Sequence, residues 1–340
     1  MGLLSFIGIL LLLFLVAFIC LYITLKLMQK YHFIHYERIA KEDIDVKSSN
    51  EVTILQYNVF WRPWLLHIGR EEYVGERSKI LADSVDSFDI CCLNESFHFG
   101  STYVKEFVET VKSHGFDYVV TSQPVKLFSK FVIDSGLMIF SKYPIVATDS
   151  ITYKDGIGWD AMSAKGVLYA KIKLGDSKFL HVFSTHLQAS YNDVTSNDVN
   201  IRQYQIKELV AFMKTKCNDG FPLALLADFN VNSCSNNGEY QKLVDLLEID
   251  EYVRIDTAFD TYGYHPITFA DNGENQEKVL TEPDDLAVGP QCLDYIFLFK
   301  GKKGGFSKYT AKVHQFSVKG HEYIQLSDHL GLQCSITQDN

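Results

Sequence analysis

Eight polar residues stand at or just after the ends of apolar stretches, where buried strands would present them to a cleft. They are carboxylates, amides and two histidines, with almost no positive charge among them: Asn58, Glu95, His186, Asp228, Asn230, Asp294, Asp328 and His329. Oxygen ligands of this kind suit a hard divalent cation, most simply Mg²⁺ with Mn²⁺ as the alternative. The histidines remain for proton transfer. The set predicts a metal-assisted reaction, although each residue alone is more often a turn residue or an ordinary hydrogen-bonding group.

The segments that must position these side chains follow two patterns. Continuous apolar runs such as "VTILQYNVF", "FDICCLNES" and "PLALLADFN" predict buried strands, while "KGVLYAKIKL" and "KFLHVFSTHL" predict an antiparallel hairpin. Between such runs, apolar residues recur at helical spacing, as at Val104, Phe107 and Val111. Strands and helices alternate without a long linker. Residues 51–340 are therefore predicted to form one α/β domain with two packed sheets.

Six motifs follow one another across residues 52–337: "QYNVF", "LNES", "STHLQ", "LADFNVN", "LDYIF" and "LSDHLGL". Their order resembles the endonuclease/exonuclease/phosphatase, or deoxyribonuclease-I-like, superfamily. The resemblance implies a four-layered α/β sandwich, in which helices flank two packed mixed sheets, and metal-dependent cleavage of a phosphoester. "LNES" stands where "LQE" is common and "ADFN" where "GDFN" is common, but both retain the acid, so an active enzyme is expected.

The resemblance also implies which residues hold the metal. Glu95 is similar to the principal ligand and Asn58 to its neighbour. Asp328 resembles the acidic residue beside the catalytic histidine, and we group it with the metal ligands. A cation held there would offset the negative charge of a phosphodiester.

The remaining five residues resemble the catalytic groups of the superfamily. His329 resembles the catalytic histidine and Asp294 the carboxylate that orients its ring. His186 resembles a second histidine that hydrogen-bonds the phosphate, and Asp228 and Asn230 resemble the pair that positions water and phosphate. A histidine held by a carboxylate can take a proton from water, which makes the roles chemically consistent.

The stretch "DAMSAKGVLYAKI", residues 160–172, bears on the substrate. Asp160 and Lys165, placed just before the predicted hairpin, resemble the on–off switch of the neutral sphingomyelinases, in which the lysine faces the phosphate of the lipid. This implies hydrolysis of sphingomyelin to ceramide and phosphocholine. The alternative is a solvated aspartate beside a lysine on an edge strand. Trp159 would contact the choline headgroup by a cation–π interaction, or simply pack in its loop.

The N-terminus carries a separate signal. Residues 3–25 contain no charge and are long enough to span a bilayer, so residues 1–27 are predicted to be an uncleaved anchor and residues 28–50 a tether. Lys26, Lys30, Arg38 and Lys41 follow the apolar stretch and favour a cytosolic catalytic domain. A cleaved, secreted form is the alternative.

The acidic composition limits the partners. A net charge of −10 argues against a protein that grips nucleic acid by charge. A membrane phospholipid is the expected substrate, with anionic lipids as further possible partners. Trp61, Trp64, Leu65 and Leu66 suit either a membrane interface or the core. An inositol-phosphate phosphatase, a nuclease and a catalytically silent membrane adaptor are the competing functions.

Overall fold

A computed structural model describes residues 3–32, 35–46, 51–63, 72–99, 101–126, 128–190, 194–235, 238–270, 280 and 289–339. Twelve strands in this part of the chain form two six-stranded mixed sheets. The first sheet has the order β11-β12-β1-β2-β4-β3. Its strands are β1 Val52–Trp61, β2 Ile90–Ser96, β3 Tyr118–Thr121, β4 Met138–Ser141, β11 Phe306–His314 and β12 Gly331–Gln338.

The second sheet has the order β5-β6-β7-β8-β10-β9. Its strands are β5 Ile145–Thr152, β6 Gly166–Gly175, β7 Lys178–His186, β8 Leu223–Asp228, β9 Val253–Asp256 and β10 Asp294–Lys300. Strands β6 and β7 form the predicted antiparallel hairpin. The other edge of β7 pairs with β8 in parallel. Both faces of the central strands are covered, which is why their sequences are continuously apolar.

Four helices cover the outer faces of the sheets: α2 Val74–Ser84, α3 Tyr103–Ser113, α4 Ser196–Lys216 and α5 Glu239–Leu246. Helix α6, Thr257–Tyr262, instead contacts β11 of the first sheet and β10 of the second, and its Ala258 joins the core between the sheets. Helices α2 and α3 pack on the first sheet through side chains such as Leu81 and Phe107. Helix α4 packs on the second sheet through Leu209, and a third cluster, containing Ile54 and Leu226, fills the space between the sheets. The predicted four-layered sandwich is confirmed.

Helix α1, Leu3–His32, carries the N-terminal apolar stretch. Its segment Phe6–Thr24 has a mean hydropathy of 3.1 and none of it is buried inside the protein. In length and composition this segment suffices to cross a bilayer, and a signal sequence close to the N-terminus has the same character. The helix continues to His32, five residues beyond the predicted end of the anchor.

Residues 35–46, within the predicted tether, make contacts with both sheets. Glu37 forms an isolated antiparallel bridge with Val120 of β3, and the Ala40 N–H donates to the Ile145 carbonyl of β5 at 2.7 Å. Lys173 of β6 donates to the Glu42 carbonyl at 2.9 Å. This part of the predicted tether is therefore bound to the domain.

The membrane-interface interpretation of Trp61 is wrong. Trp61 is fully buried and meets the rings of Tyr103 and Phe107 edge-on at 5.9 and 5.0 Å. It is the last residue of β1, and its side chain lies under helix α3. Trp64, Leu65 and Leu66 lie outside the described residues.

Candidate active site

Strand register brings three of the candidate residues to one end of the second sheet. His186, the last residue of β7, pairs with Asp228, the last residue of β8. Asp294, the first residue of the antiparallel strand β10, pairs with Asp228 from the other side. Three polar side chains from distant parts of the sequence thus stand side by side at one edge, where apolar strands end.

His329 and Asp294 form a hydrogen-bonded pair. The ring Nδ1 lies 2.8 Å from Asp294 Oδ2, and both side chains are buried. Burial alone would lower the pKa of His329, but the charges of Asp294 and Asp228 outweigh it and raise the pKa to about 10. The contact fixes the ring so that Nε2 faces Asp228 Oδ2 at 3.7 Å.

Asp228 lies at the centre of the site. Its Oδ2 accepts from Asn58 Nδ2 at 2.9 Å and lies 3.6 Å from His186 Nε2, while its Oδ1 accepts from the Asn230 N–H at 2.9 Å. Burial, together with the charge of Asp294, raises the pKa of Asp228 to about 6, although His329 opposes the shift. A carboxyl group with this pKa exchanges protons readily near neutral pH.

Asn58 joins Asp228 to Glu95. The same amide nitrogen donates to Glu95 Oε1 at 3.0 Å, so two carboxylates converge on one Nδ2. Glu95 is half-buried at the end of β2, with a positive φ of 56° that is unusual for a side chain of this size. Oxygen-rich surroundings with concentrated negative charge fit a divalent cation, because such an ion takes oxygen ligands.

Asp134, which the sequence analysis did not select, supports the backbone around Glu95. Its Oδ2 accepts from the N–H groups of His98 and Phe99 at 3.1 and 3.0 Å, and its Oδ1 accepts from Gly136 N–H at 2.9 Å. Burial raises the pKa of Asp134 to about 6, against the lowering effect of these backbone donors. The motif Asp-Ser-Gly is a turn signal that could have drawn attention to it.

The predicted pairing of Asp160 with Lys165 is present. Lys165 Nζ lies 2.8 Å from Asp160 Oδ2, donates to the Leu187 carbonyl at 2.7 Å and lies 3.2 Å from His186 Nε2. Both charged side chains are buried, and β6 is flanked by β5 and β7. The alternative of a solvated aspartate and an edge-strand lysine is therefore wrong.

His186 differs from an ordinary core histidine. Its pKa is held well below the usual value by burial and by the charges of Lys165 and His329. Its Nδ1 is buried and has no hydrogen-bond partner within the described part of the chain. The other ring nitrogen faces both Lys165 and Asp228, so a phosphate bound beside these two groups would lie against it.

Gln188 is a second residue that the sequence analysis did not select. Its Oε1 accepts from the Ile157 N–H at 2.9 Å, and its Nε2 donates to the Ile157 carbonyl at 3.2 Å and to the Ala189 carbonyl at 2.9 Å. The Ala189 N–H in turn donates to Asp160 Oδ2 at 2.7 Å. Gln188 therefore ties the loop that carries Asp160 to the end of β7. Only its place in the "STHLQ" motif hinted at this.

The other candidates occupy less central positions. Asn230 donates from Nδ2 to the Leu187 carbonyl at 3.2 Å, the same oxygen that accepts from Lys165. Asp328 is buried and accepts from the Ser327 hydroxyl at 3.1 Å. Trp159, in the 3-10 helix Gly158–Met162, is 62% exposed, and its contact with choline stays a prediction.

One group of acidic and histidine side chains, among the described residues, has ligand atoms that all lie within 4.8 Å of one another. It consists of Asp228, Asp294 and His329. Two of these are already joined by the hydrogen bond of the proposed catalytic pair. Glu95 and Asp328 are not in this group, so their assignment as metal ligands stays a prediction.

Comparison with known proteins agrees with this geometry. The profile of Endonuclease/Exonuclease/phosphatase family 2 matches residues 63–335. The chain belongs to this family. A sphingomyelinase of Dictyostelium discoideum is 31% identical over 348 residues, covering 78% of this chain and 75% of that protein. A Bacillus cereus sphingomyelinase C is 32% identical over 279 residues, covering 77% and 79%. The predicted resemblance to sphingomyelinases is thereby confirmed.

Several solved structures share the fold. Beta toxin of Staphylococcus aureus superposes with a TM-score of 0.65 at 23% identity, over 83% of this chain and 99% of the toxin. A mutant beta toxin with bound magnesium ions gives 0.60 at 21%, over 84% and 99%. D. rerio TDP2 with a single-strand DNA product gives 0.61 at 14%, over 85% and 100%. The fold alone therefore does not select the substrate, since it also occurs with a DNA product.

Proposed function

We propose that this chain hydrolyses sphingomyelin to ceramide and phosphocholine, in a Mg²⁺-dependent reaction of phospholipase C type at a membrane surface. The contact of Lys165 with both Asp160 and His186, at 2.8 and 3.2 Å, carries the proposal. It brings the residues that resemble the sphingomyelinase switch into the phosphoesterase site. The sphingomyelinases among the relatives support the same substrate.

His329 is the group that takes a proton from the attacking water. Its Nδ1 is held by Asp294, which leaves Nε2 directed toward Asp228 and the phosphate position. The buried carboxylate stabilises the imidazolium that forms and keeps the ring in one orientation. The water oxygen bonds to phosphorus as the P–O bond to ceramide breaks. The ceramide oxygen takes up a proton as it leaves, so the products are ceramide and phosphocholine.

Glu95 would hold the cation, with Asn58 and Asp328 as the further predicted ligands. A divalent cation there would offset the charge of the phosphodiester and, by opposing the carboxylates, lower the pKa of His329 toward neutral. Lys165 and His186 would contact the phosphate from the part of the site beside Asp228. Lys165 adds a cation for the phosphoryl oxygens, and Asn230 and His186 offer hydrogen bonds to them.

Helix α1 would keep the enzyme at its substrate. We place α1 across the bilayer with the catalytic domain in the cytosol, as the cationic residues after the apolar stretch favour. Protease protection in sealed microsomes tests this placement. A domain that is shielded by the vesicle, or a chain recovered without its first 27 residues, would favour the secreted form.

The decisive experiment is a headgroup-release assay on the purified full chain. Phosphocholine release is measured from sphingomyelin, phosphatidylcholine and lysophosphatidylcholine, after removal of divalent ions and after addition of Mg²⁺ or Mn²⁺. Glu95→Gln and His329→Ala are expected to lose at least about 10²-fold in turnover without unfolding. Glu106→Gln, at an exposed position of α3, is the matched control and is expected to keep full activity.

The competing functions give different outcomes in the same preparation. Release of inorganic phosphate from inositol phosphates, or nicking of a plasmid, without release of phosphocholine would replace this proposal by a phosphatase or a nuclease. Absence of turnover on every phosphoester with Mg²⁺ present would favour the silent adaptor. Full turnover after the divalent ions are stripped would contradict the metal assignment.

A further inference from the structure

Three large apolar side chains are exposed on two neighbouring segments beside the candidate active site, one around Phe128 and the other around Trp159 and Met162. Phe128 is 90% exposed, Trp159 62% and Met162 38%. A single exposed apolar residue is ordinary on a protein surface. A group of them beside a catalytic site indicates a surface that binds a partner, because apolar area left in water is unfavourable. We call these three residues the apolar rim.

Backbone pairing joins the two segments that carry the rim residues. Ile133 forms a parallel bridge with Ser163, and the N–H groups of Val132 and Ile133 both donate to the Met162 carbonyl, at 2.8 and 3.0 Å. Phe128 and Trp159 lie five and four residues before this bridge, and Met162 directly precedes it. The two segments that carry the rim are therefore joined close to all three residues.

Helix α1 meets one of the two segments. The Tyr22 hydroxyl donates to the Ser129 carbonyl at 3.1 Å. Tyr22 lies two residues before the end of the apolar span Phe6–Thr24, where a transmembrane helix reaches the lipid headgroups and where tyrosine is enriched. Ser129 would then lie at the level of the bilayer interface, and its neighbour Phe128 beside the lipid.

The charges around the rim match a membrane surface. Lys126, Lys130 and Lys154 are exposed on the same two segments, against one exposed acid there, Asp155. Lys130 Nζ reaches the Lys154 carbonyl, so the cationic positions of the two segments are connected. Apolar side chains flanked by lysines are typical of surfaces that enter the headgroup region of anionic bilayers.

We infer that the apolar rim docks on the lipid bilayer and thereby sets the active-site opening against the membrane. The inference rests on the proposed action at a membrane surface and adds the surface that performs it. Trp159 adjoins Asp160, whose carboxylate holds Lys165. A docked rim would therefore bring the site directly to lipid headgroups, with no gap to be crossed by the substrate.

Tryptophan fluorescence in vesicles with brominated acyl chains tests this contact. The full chain is reconstituted with Trp159→Phe as background, and Phe128→Trp is compared with Phe259→Trp, a matched phenylalanine that is 48% exposed on α6. We expect brominated lipid to quench the added tryptophan at position 128 and not the one at 259. Tyr204→Trp on α4, 56% exposed, replaces the control should Phe259→Trp not fold.

The same vesicles report on Trp159 itself. Emission of the unmodified chain is compared with that of Trp159→Phe in lipids without choline, so that a choline contact cannot produce the signal. We expect Trp159 to be quenched by brominated chains in these lipids. Equal quenching at positions 128 and 259, or the absence of quenching at both, would overturn the inference.

Activity gives an independent measure. With Phe128→Ala, we expect phosphocholine release from vesicles to fall about tenfold, because burial of the phenyl ring in lipid is lost. Release from a short-chain sphingomyelin, dissolved as monomers, should be unchanged. Quenching needs neither substrate nor metal, so its outcome stands even if the proposed substrate proves wrong. A vesicle activity equal to that of the unmodified chain would contradict the docking surface.

Discussion

Two histidines of strand β7 have neighbours of the same types in different arrangements. His181, the fourth of its nine residues, has both ring nitrogens paired: Nδ1 with the Tyr169 hydroxyl and Nε2 with Asp219 Oδ1, each at 2.8 Å. Lys171 closes this group by an ion pair with Asp219 at 3.0 Å. At the end of the strand, His186 faces Lys165 and an aspartate as well, but its Nδ1 is buried without a partner among the described residues.

The difference separates a structural histidine from a functional one. Around His181 every polar atom is satisfied, so the group has no remaining capacity for a ligand. Around His186 the nearest contacts are long, at 3.2 Å to Lys165 and 3.6 Å to Asp228, and positive and negative groups converge on one space. The space in front of Nε2, where these groups meet, is the position proposed for the phosphate.

Replacement of the two histidines is expected to give the largest contrast. His186→Ala should lower the turnover of sphingomyelin about 10²- to 10³-fold, because the transition state loses a hydrogen-bond donor. His181→Ala should leave turnover unchanged but destabilise the fold by about 1–3 kcal/mol, since Tyr169 and Asp219 lose their partner. Initial rates and thermal unfolding of the full chain measure both effects. Equal losses of activity in the two variants would remove the distinction.

The two lysines give the next contrast. Lys165→Ala should lower turnover about 10²-fold, because a cation for the phosphoryl oxygens is lost. Lys171→Ala is the control. Lys171 pairs with Asp219 beside His181, away from the candidate active site, so the variant should keep normal rates. Lys165→Arg, which retains the charge, should recover part of the activity. If Lys165→Ala works as fast as the unmodified enzyme, the switch assignment is wrong.

A smaller effect is expected at Gln188, which contacts the loop of Asp160 and not the reacting atoms. Gln188→Glu loses the donors to the Ile157 and Ala189 carbonyls, so Asp160 should be misplaced and kcat should fall roughly tenfold. KM is measured alongside kcat, and the exposed Gln241→Glu on α5 is the control. Combined with Lys165→Ala, the change should add no further loss. An additive loss would place Gln188 outside the network of Lys165.

The smallest expected effect is on the pH dependence of thermal stability, compared between the unmodified chain and a His181 variant. Burial lowers the pKa of His181, Lys171 adds to the shift, and Asp219 opposes it. The folded state therefore binds a proton less readily than the unfolded state, so stability is fully present above the ordinary histidine pKa and is lost as the pH falls below it. Thermal midpoints between pH 7 and pH 5 should fall less in His181→Gln than in the unmodified chain. If the thermal midpoints of the two proteins fall in parallel with pH, His181 does not contribute to the loss of stability in acid.

Much of the fold follows from local patterns. Runs such as "PLALLADFN" are apolar on both faces because β8 is covered on both sides, and "KGVLYAKIKL" with "KFLHVFSTHL" pairs through a short turn. Polar residues that end these runs, such as Asp228, were selected because strand ends face clefts. The same reasoning could not place Trp61, since an aromatic side chain at the end of a strand suits the core and the surface equally.

Residues that act through backbone atoms escaped the sequence analysis. Asp134 and Gln188 bind main-chain N–H and C=O groups, which every residue possesses and no sequence distinguishes. Gly136 and Ala189 are near neighbours in the chain, but the partners His98, Phe99 and Ile157 lie 31 to 36 positions away. Only folding brings these groups within hydrogen-bond distance, so residue type and spacing give little warning of such roles.

By itself, the sequence determined the alternation of strands and helices, the family, and the set of carboxylates, amides and histidines that could perform the chemistry. These depend on residue types and short-range spacing, which the chain carries before it folds. The tertiary structure decided which of two similar histidines is satisfied, that Lys165 lies against His186, and that the two segments with exposed apolar side chains are paired at Ile133 and Ser163. Each of these depends on sheet register and on contacts between distant segments, and local patterns do not encode them.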